Sequence, residues 1–236
     1  MPGIEHSESR YMIKLNEQFD VLSNTLRLLP EEISRLDYFV REIGEPEEGI
    51  SNVEIACVNV FNNIYGLMCI LKDERVTGSI YEHDAIATIL CIRHVLQHQS
   101  GRLKNNLRDA WSKSIFGSPT LIKYNVSDPG MPDPPLYINV AWFQEGIARN
   151  DKISKKLTKI NAFWKLETIK QQVEASSNCN WAATYICAMT LITEAARKIV
   201  VEYGDVMLAT GYDSRVYLEH FKGVNAIDTN DYGLIT

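Results

Sequence analysis

Arg93, His94, Gln97 and His98 stand together in DAIATILCIRHVLQHQ, residues 84–99, directly after two turns of Ala, Ile and Leu. Folding alone gives little reason to end such a run with one Arg and two His, whereas a site would. Imidazole is the side chain that titrates near neutral pH, and a guanidinium is shaped for oxyanions. On a helix, at about 100° per residue, Ala85, Ile89, Ile92 and Leu96 make one core stripe. Arg93, His94, Gln97 and His98 then spread over the opposite side, preceded there by Ile86 and Leu90. A face that is apolar at one end and Arg/His at the other suits contact with another chain. His94 and His98 are also an i, i+4 pair, the first half of a zinc site. No HExxH glutamate or third ligand stands at a recognisable spacing, so neither a metal nor a cofactor is expected.

The elements that must position this cluster read as helices. Residues 11–29 carry Ile13, Phe19, Leu22, Leu26 and Leu29 at helical spacing. Pro30 is expected to open a second helix with Glu31 and Glu32 in its first turn, and Gly44, Pro46 and Gly49 to break it. Ser51 and Glu54 form a capping-box pattern before a long helix with Val53, Cys57, Val60, Ile64, Leu67 and Leu71 on its core side. Ser79 and Glu82 repeat that signal before the helix of the cluster, which is expected to run to about Trp111. Residues 112–135 hold too many Gly and Pro for a helix. TLIKYNV (120–126) and LYINVAWF (136–143) flank that region and are expected to pair as a hairpin. Helices over about 152–175 and 181–203 follow, and the last 30 residues look irregular. The expected fold is mainly α, an antiparallel helical bundle with a small β-hairpin insert around 120–143. Residues 1–111 form the helical core with the Arg/His cluster and 112–150 an irregular and β segment. Residues 151–236 supply C-terminal helices packed on the same domain.

The 236 residues carry a net charge of −6, unevenly spread. Residues 31–54 are rich in acid (Glu31, Glu32, Glu42, Glu45, Glu47, Glu48, Glu54). Residues 93–113 are basic (Arg93, Arg102, Lys104, Arg108, Lys113), as are residues 149–170 (Arg149, Lys152, Lys155, Lys156, Lys159, Lys165, Lys170). Such local faces bind phosphate even when the total is acidic, or serve simply as solvated helix sides. The longest uncharged apolar run, 181–192, is short for a membrane span, and MPGIEHSESR has no secretory pattern. Five cysteines without a CxxC pair read as reduced core residues of a cytoplasmic protein. Tyr124, Tyr137, Trp142 and Phe143 suit either base stacking or the core. No GxGxxG, GxxxxGK[ST] or GxSxG occurs.

RHVLQH, an Arg followed by a polar residue and then a His after four intervening positions, resembles the signature of HEPN-domain proteins. The amphipathic helical surroundings over residues 11–111 agree with that resemblance. It implies a metal-independent endoribonuclease of a prokaryotic defence, toxin–antitoxin or abortive-infection system, built as a homodimer with Arg and His of both chains in one cleft. Carried over by position, His98 is the general acid/base acting on the 2′-hydroxyl or the leaving oxygen, and Arg93 holds the scissile phosphate. His94 takes the polar second position and orients the pair. Gln97, Arg102, Lys104 and Arg108 lie beside them as RNA contacts, and an antitoxin or other protein is a further expected partner. A second match, RVYLEH (Arg215 to His220), has Val in the polar position and falls in the stretch read as irregular. The alternative is a non-catalytic helical module that binds a partner protein, with Arg93 paired to Glu82 or an N-terminal acid.

Overall fold

A computed structural model describes residues 3–98, 119–124 and 136–236. The chain folds mainly as α-helices beside one small sheet. Helix α1 (Gly3–Tyr38) is continuous through Pro30, so no second helix opens there. Proline removes one intrahelical hydrogen bond, but Leu22, Leu26, Leu29, Ile33 and Leu36 stay buried on one side of α1 across the break. That burial holds the helix together. A π-helical turn (Phe39–Ile43) and Gly44, at φ 76°, end it.

Helix α2 (Pro46–Asp73) starts at Pro46 with Glu47 and Glu48 in its first turn, earlier than the Ser51 signal. Ser51 is interior, and its hydroxyl donates to the Glu47 carbonyl at 2.7 Å. Gly49 is a contact residue rather than a breaker, because a Cβ there would lie 2.8 Å from Leu36 Cδ1. By length and composition α2 is long and apolar enough to cross a membrane, and 44% of its most apolar window is buried inside the fold. Helix α3 (Asp84–His98) begins after a turn in which the Glu82 carboxylate accepts from the Thr77 hydroxyl and the Gly78 N–H.

The sheet holds β1 (Thr120–Tyr124), β2 (Tyr137–Asn139), β3 (Thr184–Cys187) and β4 (Tyr232–Ile235) in the order β2-β3-β1-β4. The expected β1–β2 hairpin does not form. β3 lies between them, parallel to β1 and antiparallel to β2. Its four residues are all buried, and a short buried apolar run carries no period to separate strand from helix. LYINVAWF divides at Asn139, whose side chain accepts from Trp142 N at 2.8 Å and so caps helix α4 (Val140–Ala148).

The basic stretch 152–175 is two helices, α5 (Leu157–Phe163) and α6 (Leu166–Ala175), broken at Lys165 with φ 54°. The break turns Trp164 into the core, where its Nε1 donates to Thr88 Oγ1 of α3 at 2.8 Å. Helix α7 (Ala188–Tyr203) follows β3, and helix α8 (Tyr212–Gly223) and β4 occupy the tail read as irregular. Asn16 Oδ1 accepts from Leu208 N at 2.8 Å and Arg27 Nε bonds Asp213 at 2.9 Å, tying the tail to α1. Helices α1, α2, α3, α7 and α8 thus follow one another around a closed ring of contacts, with α8 returning to α1. One continuous apolar core fills it, from Leu15 to Phe221.

Candidate active site at the end of helix α3

Helix α3 runs through the middle of the fold, and its two halves differ. Every residue from Ala85 to Ile92 is buried, under α2, α4, α5 and α7. Ile86 and Leu90 are therefore covered within the chain, which corrects the expectation that they share an outer face with the Arg/His cluster. Only the last two turns emerge, and they carry Arg93, His94, Gln97 and His98.

Among the described residues, Arg93 is held by neutral groups. Its Nε donates to Asn62 Oδ1 at 2.7 Å and one Nη to Gln97 Oε1 at 3.1 Å. Its guanidinium carbon sits 4.0 Å from the centre of the Tyr65 ring, a cation–π contact. Among the described residues two of the five N–H donors of the guanidinium are used, which leaves a fork for an oxyanion. The expected pairing with Glu82 does not occur, since Glu82 faces Thr77 and Gly78. A cleft of about 190 Å³ opens beside Arg93, between Glu54, Val58 and Asn62 of α2 and Leu96 and Gln97 of α3.

The two imidazoles face each other, with ring centres 4.6 Å apart and planes at 59°. His94 is half-buried and His98 exposed. His94 Nε2 lies 2.8 Å from Asn150 Nδ2, on the turn after α4. Burial first, then His98 and the cations of Lys152 and Arg93, outweigh the Asn150 contact and keep His94 below the ordinary imidazole range. Lys156 lies 5.3 Å from the Tyr81 ring centre, and burial pushes the Tyr81 hydroxyl up. Lys152, Lys155, Lys156 and Lys159 have no ion pair among the described residues, and of these Lys152 lies close enough to His94 to act on it.

Sequence reasoning missed Asn62, Tyr65, Asn150, Lys152 and Lys156 as neighbours of the cluster. One signal was present: Asn62 and Asn63 interrupt an apolar helix with poor helix formers. Asn63 Oδ1 accepts from Gln18 at 3.0 Å, and Asn62 meets Arg93. Nothing in the sequence singled out Asn150. Arg102, Lys104 and Arg108 lie outside the described residues. Tyr124, Trp142 and Phe143 are buried and hence unavailable to stack on bases. Among the described residues, no group of three or more His, Cys, Asp or Glu could hold a metal ion.

The second match is also helical, on α8, so helical context does not separate the two. Arg215, Val216 and His220 are exposed there, and the His220 ring packs edge-on to Phe221 at 5.1 Å. A larger cavity, about 510 Å³, lies between α1 and α2 and is lined by Leu28, Tyr38, Phe39, Ile55 and Asn59 among others. Neither cavity is lined by an imidazole; the smaller one is set apart by the Arg93 guanidinium on its wall, one residue from His94. No family model, no curated protein and no solved structure matches this chain.

Proposed function

We propose that this chain is a metal-independent endoribonuclease of the HEPN type, with its closed helical ring as a HEPN-like bundle. It works as a cytoplasmic homodimer in prokaryotic defence or growth arrest, held in check by an antitoxin or other protein partner. One observation carries this reading: two imidazoles 4.6 Å apart stand beside a guanidinium held by neutral groups. In the reaction, His98 takes the proton of an RNA 2′-hydroxyl. The 2′-oxygen attacks the adjacent phosphorus, the bond to the 5′-oxygen breaks, and that oxygen receives a proton from the second His98 of the dimer. The products are a 2′,3′-cyclic phosphate and a 5′-hydroxyl. Arg93, aligned by Asn62, Gln97 and Tyr65, offsets charge on the phosphate oxygens as it grows. Lys152, Lys155 and Lys156 extend the basic surface for the RNA backbone.

A second reading has its own observation. Leu28, Tyr38 and Ile55 are 40%, 55% and 60% exposed around the α1–α2 cavity, a surface suited to a protein partner of a non-catalytic module. Purified protein incubated with tRNA and total RNA in excess EDTA separates the two. The ribonuclease reading predicts cyclic-phosphate ends from the wild type and none from Arg93→Ala or His98→Ala. Absence of cleavage by all three, in the presence of intact folded protein, favours the module.

A further inference from the structure

The two imidazoles at the end of α3 are made unequal by an amide that lies outside the motif. Asn150 Oδ1 accepts the Lys152 backbone N–H at 3.1 Å, an Asx-type turn. With its oxygen so engaged, the amide presents its NH2 to His94 Nε2 at 2.8 Å. The flipped amide would set two donors against each other at Lys152, so the network assigns the orientation. An Nε2 that accepts a hydrogen bond carries no proton. The proton of His94 is therefore on Nδ1.

Asn150 is itself held in place from both sides. Its N–H donates to Ile147 O at 3.1 Å, and its carbonyl accepts from Ile153 N at 3.0 Å and Ser154 N at 2.8 Å. The preceding helix α4 sits hard against α3: a Cβ on Gly146 would come within 2.4 Å of Val95 Cγ1, one residue from His94. That close approach sets the distance between Asn150 and the His94 ring. The charged groups acting most strongly on His94 are His98 and Arg93 on its own helix and Lys152 on the facing turn. All three are basic, so none stabilises an imidazolium there.

We propose that Asn150 is a positioning residue that locks His94 as the neutral Nδ1–H tautomer, so that proton transfer in the pair belongs to His98 alone. The catalytic part of this assignment rests on the ribonuclease reading; the tautomer does not. A neutral His94 keeps a second positive charge away from His98 and leaves Nδ1–H as a donor toward a phosphate oxygen.

Long-range 1H–15N spectra of the histidine-labelled protein, recorded across pH, test the lock without reference to activity. The wild type should show His94 with a protonated Nδ1 and a pyridine-like Nε2, staying neutral to below the usual imidazole range. Asn150→Asp keeps the acceptor for Lys152 N but faces Nε2 with a carboxylate. It should move the proton to Nε2 and raise the His94 midpoint by about one unit or more, the effect of an adjacent opposite charge. Gly146→Ala, by pushing α4 off α3, should give the mixed tautomers of an unheld ring. Nε2–H on His94 in the wild type, or an unchanged His94 titration in Asn150→Asp, would overturn the lock. RNA cleavage measured on the same samples keeps the two ideas apart. A locked His94 in a protein that cleaves nothing sinks the ribonuclease and leaves the lock; His98-dependent cleavage with an Nε2–H His94 does the reverse.

Discussion

Arg93–His98 and Arg215–His220 have the same spacing, and both lie on helices at the surface of one fold. The difference is what surrounds them. The first helix arrives from the centre of the core, so its last two turns meet side chains from α2 and from the turn after α4. Arg93 is aligned by Asn62, Gln97 and Tyr65, and His94 by Asn150. The second helix lies on the rim, where Arg215 and Val216 face outward and the His220 ring packs edge-on to its neighbour Phe221. Spacing alone places two groups near each other. Preorganised partners make a site of them.

This contrast can be broken by three measurements of RNA cleavage. The largest effect belongs to the proposed general acid/base: His98→Ala should lower the RNA cleavage rate by about 10²–10⁴-fold, while His220→Ala leaves it unchanged. Equal losses would place the motif on α8 or remove it altogether. Arg93→Ala should cost about 10²-fold or more, with Arg93→Lys a poor rescue because a fork and a point charge differ; Arg215→Ala should be silent. Installing the missing polar residue by Val216→His should give RVYLEH no activity, when assayed in a His98→Ala background. Gained activity there would mean that sequence spacing suffices without the neighbours.

Stability sharpens the contrast at smaller amplitude. Gly146→Ala, which crowds Val95 beneath the site, should cost about 1–3 kcal/mol by overpacking, read from urea unfolding. An alanine at the exposed Val216 should change stability by less than about 0.5 kcal/mol. The smallest effect is on pH. The fold holds His94 below the ordinary imidazole range, so the unfolded chain takes up that proton first. The His94 contribution is therefore complete above about pH 6.5 and declines as pH falls below it. The midpoint in urea should fall less steeply between pH 7 and 5 in His94→Gln than in the wild type; identical slopes would show that the fold does not disfavour the imidazolium.

The sequence made the helical class and the Arg/His cluster legible, because amphipathic spacing over long helices is a strong signal. Leu15 to Leu36 on α1 and Val53 to Leu71 on α2 are buried at the spacing that pattern requires. Boundaries were less legible where long-range packing overrides a local signal. Pro30 is kept inside α1 by leucines on either side of it, and Gly49 lies inside α2 at a point where Leu36 leaves no room for a Cβ. The sheet was misread for a related reason. TYIC is buried on every side, so its strand character came from pairing with β1 and β2, partners over 40 residues away. Asn150 was invisible in the same way, since it acquires meaning only when the α4 turn closes on α3, whereas Asn62 at least interrupts an apolar helix.

The central claim is that chemistry resides at the buried helix's emerging end and nowhere else. Its most direct test is cleavage of a 5′-labelled single-stranded RNA in excess EDTA, with end-group analysis, by the wild type, His98→Ala and His220→Ala side by side. The account predicts 2′,3′-cyclic phosphate products from the wild type and from His220→Ala, and none from His98→Ala. Cleavage by His98→Ala at the wild-type rate would contradict it.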